Sequence, residues 1–167
     1  MYAEKLIKSL YTRIKKGEQT NKLIAFHPGA SVKEKCMPIR QWQRVFEKIL
    51  NKEDYLIVII GPSEKDKLMN IKKTLKQHKT FYINNKNLKT TSAILKQCNL
   101  FLGHDTGFAH IAAALNVPSV LVCGPLTLLD VWVPPTLRTK AIQFDSIDKI
   151  DISLVAEVIG ERMQHLV

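Results

Sequence analysis

Between Asn99 and Pro125 the chain reads N-L-F-L-G-H-D-T-G-F-A-H-I-A-A-A-L-N-V-P-S-V-L-V-C-G-P. Asp105, Thr106, Gly107 and His110 are the residues of this stretch that fall where a strand hands over to a helix, an end that suits an anionic ligand through its free amides. Asp105 brings a carboxylate, Thr106 a hydroxyl and Gly107 an uncovered stretch of backbone. His110 follows within about one helical turn, on a face that can look back at the same place. A helix beginning here presents amides without intrahelical acceptors and a partial positive charge, and both favour a phosphate or carboxylate. The same residues have a purely structural use. Asp105 and Thr106 can cap a helix, and Gly103 can serve a turn.

The elements that must position these groups follow from the pattern around them. Residues 99–102 read as a strand, the residues after Gly107 as a short helix, and 119–123 as a second buried strand. Upstream, the apolar strand 23–27 runs into Pro28-Gly29-Ala30-Ser31, whose small side chains leave room for a ligand, and then past Lys33, Lys35 and Pro38. Small residues and lysines after a strand suit a phosphate, although the G-x-x-x-x-G-K-[ST] spacing of a Walker loop is absent. A helix over 39–50 places Trp42, Val45, Phe46 and Ile49 on one face.

Tyr55 to Ile60 is apolar and β-branched, as expected of a strand buried on both faces. Gly61 and Pro62 end it, and Ser63 with Asp66 resembles a capping pair for the next helix. Glu64 has two available roles, favouring that helix N-terminus or accepting hydrogen bonds from ribose hydroxyls. Further strands are expected at 80–83 and 141–144, with helices at 90–97 and 150–165 and a loop over 126–136. Strand and helix alternate throughout, which predicts an α/β fold with a doubly wound, Rossmann-like sheet of about six parallel strands. In such sheets ligands bind outside the carboxyl ends of the strands, here the turns after His27, Ile60, Ile83, Leu102 and Cys123.

The 167 residues, with 46% hydrophobic and 24% charged, describe one globular domain. Residues 1–20 read as an amphipathic helix and linker, ahead of a domain at 21–167. No apolar run approaches the roughly 18 residues that cross a bilayer, so a cytoplasmic location is expected. The formal charge of +10 favours acidic partners. Much of it falls in two stretches read as helical, 4–16 and 63–79, which serve either as solvated faces or as a functional patch. Neither interleaves aromatics as a single-stranded nucleic-acid platform does, and no nucleic acid is expected as partner. Cys36, Cys98 and Cys123 lack disulfide or metal spacing, the last two being expected in the core and Cys36 in a reachable loop. The five histidines show no metal-ligand spacing either, and no metal site is expected.

Taken in order, A-F-H-P-G-A-S, K-x-x-P at Lys35 to Pro38, I-I-G-P-S-E, D-T-G-F-A-H-I-A-A-A-L-N-V-P and C-G-P resemble family 9 of the glycosyltransferases. These are the bacterial heptosyltransferases of lipopolysaccharide core assembly and their relatives. The resemblance runs from Leu23 to about Pro135. It implies one half of a GT-B fold, the C-terminal domain that holds the sugar nucleotide, with ADP-heptose as the donor. It also implies a donor site made of Gly29, Ala30, Ser31, Lys35, Glu64, Asp105, Thr106, Gly107 and His110. In that site Lys35 lies at the diphosphate, Glu64 at the ribose, and Asp105 to Gly107 at the phosphates and sugar. Transfer would be inverting, direct and independent of metal or other cofactor. An N-terminal domain, with no counterpart in this chain, would supply the catalytic carboxylate and the site for the lipopolysaccharide core acceptor. The alternative is a standalone or truncated nucleotide-binding module without transferase activity. The basic faces suit peripheral association with the inner face of the inner membrane. One departure stands out: the family usually carries tryptophan in its K-x-W-P loop, where this chain has Met37.

Overall fold

The computed structural model describes residues 12, 22–30, 32–52, 54–61, 67–84, 87–146 and 149–164. Strand β1 (Leu23–Phe26) leads through a 3-10 turn (Lys33–Lys35) to helix α1 (Ile39–Ile49) and strand β2 (Tyr55–Ile60). Then come α2 (Leu68–Thr74), β3 (Lys79–Asn84), α3 (Leu88–Leu95), β4 (Leu100–Gly103) and α4 (Gly107–Ala114). The chain closes with β5 (Ser119–Cys123), the single turn α5 (Leu129–Trp132), β6 (Thr139–Gln143) and α6 (Ile152–Gln164). All five strand pairs are parallel, in the order β3-β2-β1-β4-β5-β6. The sheet is therefore the expected doubly wound one, and its order reverses between β1 and β4.

Alternating side chains of the strands feed two cores. Ile24, Phe26, Leu56 and Val58 face α1, α2 and α6, where they meet Trp42, Phe46, Ile71, Val155 and Ile159. Ala25, Ile57, Phe101 and Leu121 face α3 and α4, meeting Ile94, Leu95, Ala109 and Ala112. On the first face Phe26 packs edge-on to Phe46 (5.0 Å) and tilted against Trp42 (4.9 Å), the offset geometries that aromatic quadrupoles favour. Burial of these apolar groups on both faces is what fixes β1, β2 and β4 at the centre.

Several expected boundaries move, each for a local reason. Helix α3 begins at Leu88, two residues earlier than expected, because the Asn87 side chain accepts from Thr90 N–H at 2.8 Å. Helix α6 begins at Ile152 because the Asp151 carboxylate accepts from the Ser153 and Leu154 amides. Lys79, read as the end of a helical run, instead opens β3 and pairs with Tyr55. The ladder to β2 recruits it, and its ammonium lies 5.4 Å from the Tyr55 ring. Gly103 closes β4 and serves no turn; a Cβ there would lie 2.9 Å from His27 O. The loop over 126–136 contains α5. The amphipathic helix expected before Gly17 and the pair Ser63 and Asp66 lie outside the described residues, Thr12 apart.

At the amino edge of the sheet Lys22 is held twice. Its N–H donates to Asp54 Oδ1 at 2.9 Å, and its ammonium donates to Met163 O at 3.0 Å on α6. Asp54, itself buried, also accepts from Asn51 N–H at 2.9 Å. No helix among the described residues is long and apolar enough to cross a membrane.

Candidate functional site

The carboxyl ends of β1 and β4 lie side by side, with His27 N–H donating to Leu102 O at 3.0 Å. Two loops leave from this point. One runs from β1 through buried Gly29 and half-buried Ala30 toward the Lys33–Lys35 turn. The other runs from β4 through His104 and Asp105 to the start of α4. They meet where Lys35 Nζ donates to Asp105 Oδ2 at 3.2 Å. The two side chains are only 16% and 7% exposed, so salt and water screen this pair less than a surface one. His110 Nε2 stands 4.0 Å from the other carboxylate oxygen, on the half-exposed outer side of α4.

The start of α4 carries no side-chain cap. Thr106 is the N-cap, with extended backbone, yet its side chain makes no capping hydrogen bond. Its Oγ1 is buried without a partner among the described residues. The first amides with an acceptor are those of Ala109 and His110, both bonded to Thr106 O, which leaves the N–H groups of Gly107 and Phe108 at the open end of the helix. A Cβ built on Gly107 meets nothing within 4 Å, so this glycine faces open space.

Of the expected residues, Lys35, Asp105 and His110 form one cluster, Thr106 and Gly107 adjoin it, and Gly29 and Ala30 follow β1 on the same sheet edge. Ser31 and Glu64 lie outside the described residues. Cys98 and Cys123 are buried as expected, their thiols pushed up to about 12, by burial first and for Cys123 by Asp105 as well. Cys36 is partly exposed beside Lys35. No group of three or more acidic, histidine or cysteine side chains that would suit a metal ion occurs among the described residues.

Three neighbours of the cluster are not among the site residues that the sequence marks. His27 sets its Nδ1 2.9 Å from Ile59 O and its ring edge-on to Phe108 at 4.7 Å, joining β1, β2 and α4. His104 is fully buried, with Nδ1 2.8 Å from Val122 O and Nε2 3.2 Å from Met37 N. Its pKa is pushed down to about 4, by burial above all and secondarily by His27, against the opposing pull of the Val122 carbonyl. Gly124 lies against the Lys35 turn, where a Cβ would come 2.8 Å from Glu34 O and 3.2 Å from Lys35 Cα. Gln143 on β6 braces the loop behind it by donating to Thr127 O at 2.6 Å. A glycine directly after a buried strand was the available signal for Gly124, whereas the histidines carry no spacing that marks them.

Solved structures with the same fold include E. coli ADP-heptose LPS heptosyltransferase II (20% identity, TM-score 0.77), which this chain matches over 92% of its own length and 50% of that protein's. The E. coli heptosyltransferase WaaC with ADP matches at 16% identity and TM-score 0.75, covering 87% of this chain and 46% of that one. The glycosyl transferase family 9 protein from Veillonella parvula matches at 19% identity and TM-score 0.68, covering 100% and 45%. The chain thus spans about half the length of these proteins, corresponding to one half of a GT-B fold. No curated protein matches the chain. Residues 4–139 match glycosyltransferase family 9 (heptosyltransferase), and the chain belongs to that family.

Proposed function

We propose that this chain is the donor-binding domain of an inverting glycosyltransferase, with an ADP-heptose-like sugar nucleotide as ligand and lipopolysaccharide core assembly as its setting. The observation that carries the reading is the Lys35–Asp105 pair at the β1–β4 reversal, set beside the open amino end of α4. Solved relatives support the nucleotide, since WaaC is known with ADP and with ADP-2-deoxy-2-fluoro heptose.

The chemistry assigned to each group follows from its charge. Lys35 supplies the cation for the diphosphate, and the amides of Gly107 and Phe108 with the Thr106 hydroxyl supply neutral donors aimed at the phosphate oxygens. Asp105 carries the same sign as the ligand, so its carboxylate serves by holding the Lys35 ammonium in place rather than by touching phosphate. His110, half-exposed at the rim, borders the Asp105 carboxylate from the outer side of α4. On departure of the nucleoside diphosphate these groups stabilise the charge that develops on the leaving oxygen. Deprotonation of the acceptor hydroxyl falls to a carboxylate outside this cluster, on the domain that faces this one. Ser31 and Glu64 complete the proposed site, Glu64 at the ribose.

The test is a calorimetric and thermal-shift titration with ADP, UDP, GDP and CDP, with and without magnesium. Binding of ADP in preference to the other three, unchanged by magnesium, is the expected result. Absence of binding by all four nucleotides would overturn the reading. Binding of ADP without transfer to any acceptor, even after an N-terminal domain is supplied, would leave a nucleotide-binding module in place of a transferase.

A further inference from the structure

Building on the donor-site reading, we infer that His104 is a positioning residue, whose imidazole locks the Lys35–Met37 turn to the sheet so that the Lys35 ammonium is aimed at the ligand. The two ring nitrogens have opposite duties. Val122 O can only accept, so the Nδ1 that lies 2.8 Å from it carries the proton. Nε2 is then bare and accepts the Met37 N–H at 3.2 Å. Both valences of the ring are spent on backbone, and the residue is fully buried, so it acts through the turn and not on a ligand.

The turn depends on that grip. Within it, the Lys35 N–H and the Cys36 thiol both point inward to Val32 O, at 3.2 and 3.5 Å, and these bonds give it shape without fixing its place. Met37 is buried, so its amide would be left without an acceptor if His104 were removed. His104 and Asp105 are consecutive, and they take hold of residues two apart in the turn: one binds the Met37 amide, the other the Lys35 ammonium. A single short segment after β4 thereby sets both the backbone and the side-chain end of the lysine. On the other side Gly124 lets the turn pack backbone against backbone, and the Trp42 ring stands edge-on to the imidazole at 5.8 Å. A lysine has four rotatable bonds, so the placement of its Cα decides where its charge can reach.

Two conservative variants separate positioning from bulk stability. In His104→Gln the amide oxygen reaches the place of Nε2 and keeps the Met37 bond, whereas in His104→Asn the side chain keeps the donor to Val122 and falls short of Met37. Hydrogen exchange at the Met37 amide, read without ligand, should accelerate about tenfold or more in His104→Asn and stay near wild type in His104→Gln. ADP affinity should follow the same order, with a loss of about tenfold for Asn and less than about threefold for Gln. Wild-type exchange and affinity in both variants, or equal losses of melting temperature in both with unchanged affinity, would overturn the inference.

If wild type itself binds no ADP, the donor-site reading falls, while the Met37 exchange rates still decide the grip. If neither variant folds, nitrogen NMR of the wild-type ring decides it. A bare Nε2 and a protected Met37 amide support the grip; a protonated Nε2 or a freely exchanging amide removes it.

Discussion

His104 makes acid stability a residue-scale property of this protein. A histidine whose pKa falls from 6.5 in the unfolded chain to about 4 in the fold is neutral in both states above pH 6.5 and contributes no pH dependence there. Between those two values the unfolded chain takes up a proton that the fold refuses, so stability declines as pH falls, by roughly 3 kcal/mol in total. Denaturant melts at stepped pH should show this slope in wild type and a shallower one in His104→Gln. Lys35 and Asp105 predict a second separation. Lys35→Met should lower stability by about 1–3 kcal/mol, because it strands a shielded carboxylate, and should weaken ADP binding at least about tenfold. Adding Asp105→Asn to Lys35→Met should recover the melting temperature and leave affinity low; recovery of both would reassign the pair to structure alone. These two residues were legible in the sequence because a lysine and an acid each follow a strand that ends at the ligand edge. His104 was not, because its two partners, at positions 37 and 122, come from other elements and leave no spacing to read.

At the scale of elements, the site is a contact between two loop ends, and the glycines there divide by what lies opposite them. Gly124→Ala places a methyl against the backbone of Glu34 and Lys35, which has no flexible end to give way. It should cost about 1–3 kcal/mol and also weaken ADP binding, since the Lys35 turn must move. Gly107→Ala meets nothing and sits in the first turn of a helix at ordinary φ, so it should hold or raise the melting temperature. Its methyl would instead obstruct the open helix end, and loss of ADP affinity at full stability would mark the ligand's approach; unchanged affinity would place the ligand elsewhere. Strands β2 and β5 were read well because apolar, β-branched runs bounded by glycine or proline leave little ambiguity. Helix ends were read less well where a side chain, as in Asn87 and Asp151, decides which amide is satisfied first. The turn of α5 was missed because four residues are too few to show a period.

Across the whole molecule, the alternation of strands and helices announced a parallel doubly wound sheet, but not its order. That order depends on which strands share both faces with helices, and it is what brings residues 35 and 105 together. The carboxyl edge also exposes Leu126, Leu128, Val131 and Trp132, each at least half exposed, around α5 and next to the Gly124 loop. Apolar side chains so grouped on one edge associate in water. The chain alone should therefore self-associate with rising concentration in sedimentation experiments, and Leu128→Glu with Val131→Lys should abolish this while the melting temperature holds within a few degrees. Persistent association in the double variant would locate the contact elsewhere. The anchorage of Lys22 has a mechanical meaning as well. Strand β1 is bonded on both sides by parallel ladders, and its entry is tied to Asp54 and to α6. A pull at that entry directed along the strand loads both ladders in shear, the direction in which many bonds must yield together. Tension applied along β1 at Lys22 is thus taken up in the sheet before it reaches Pro28 and Gly29.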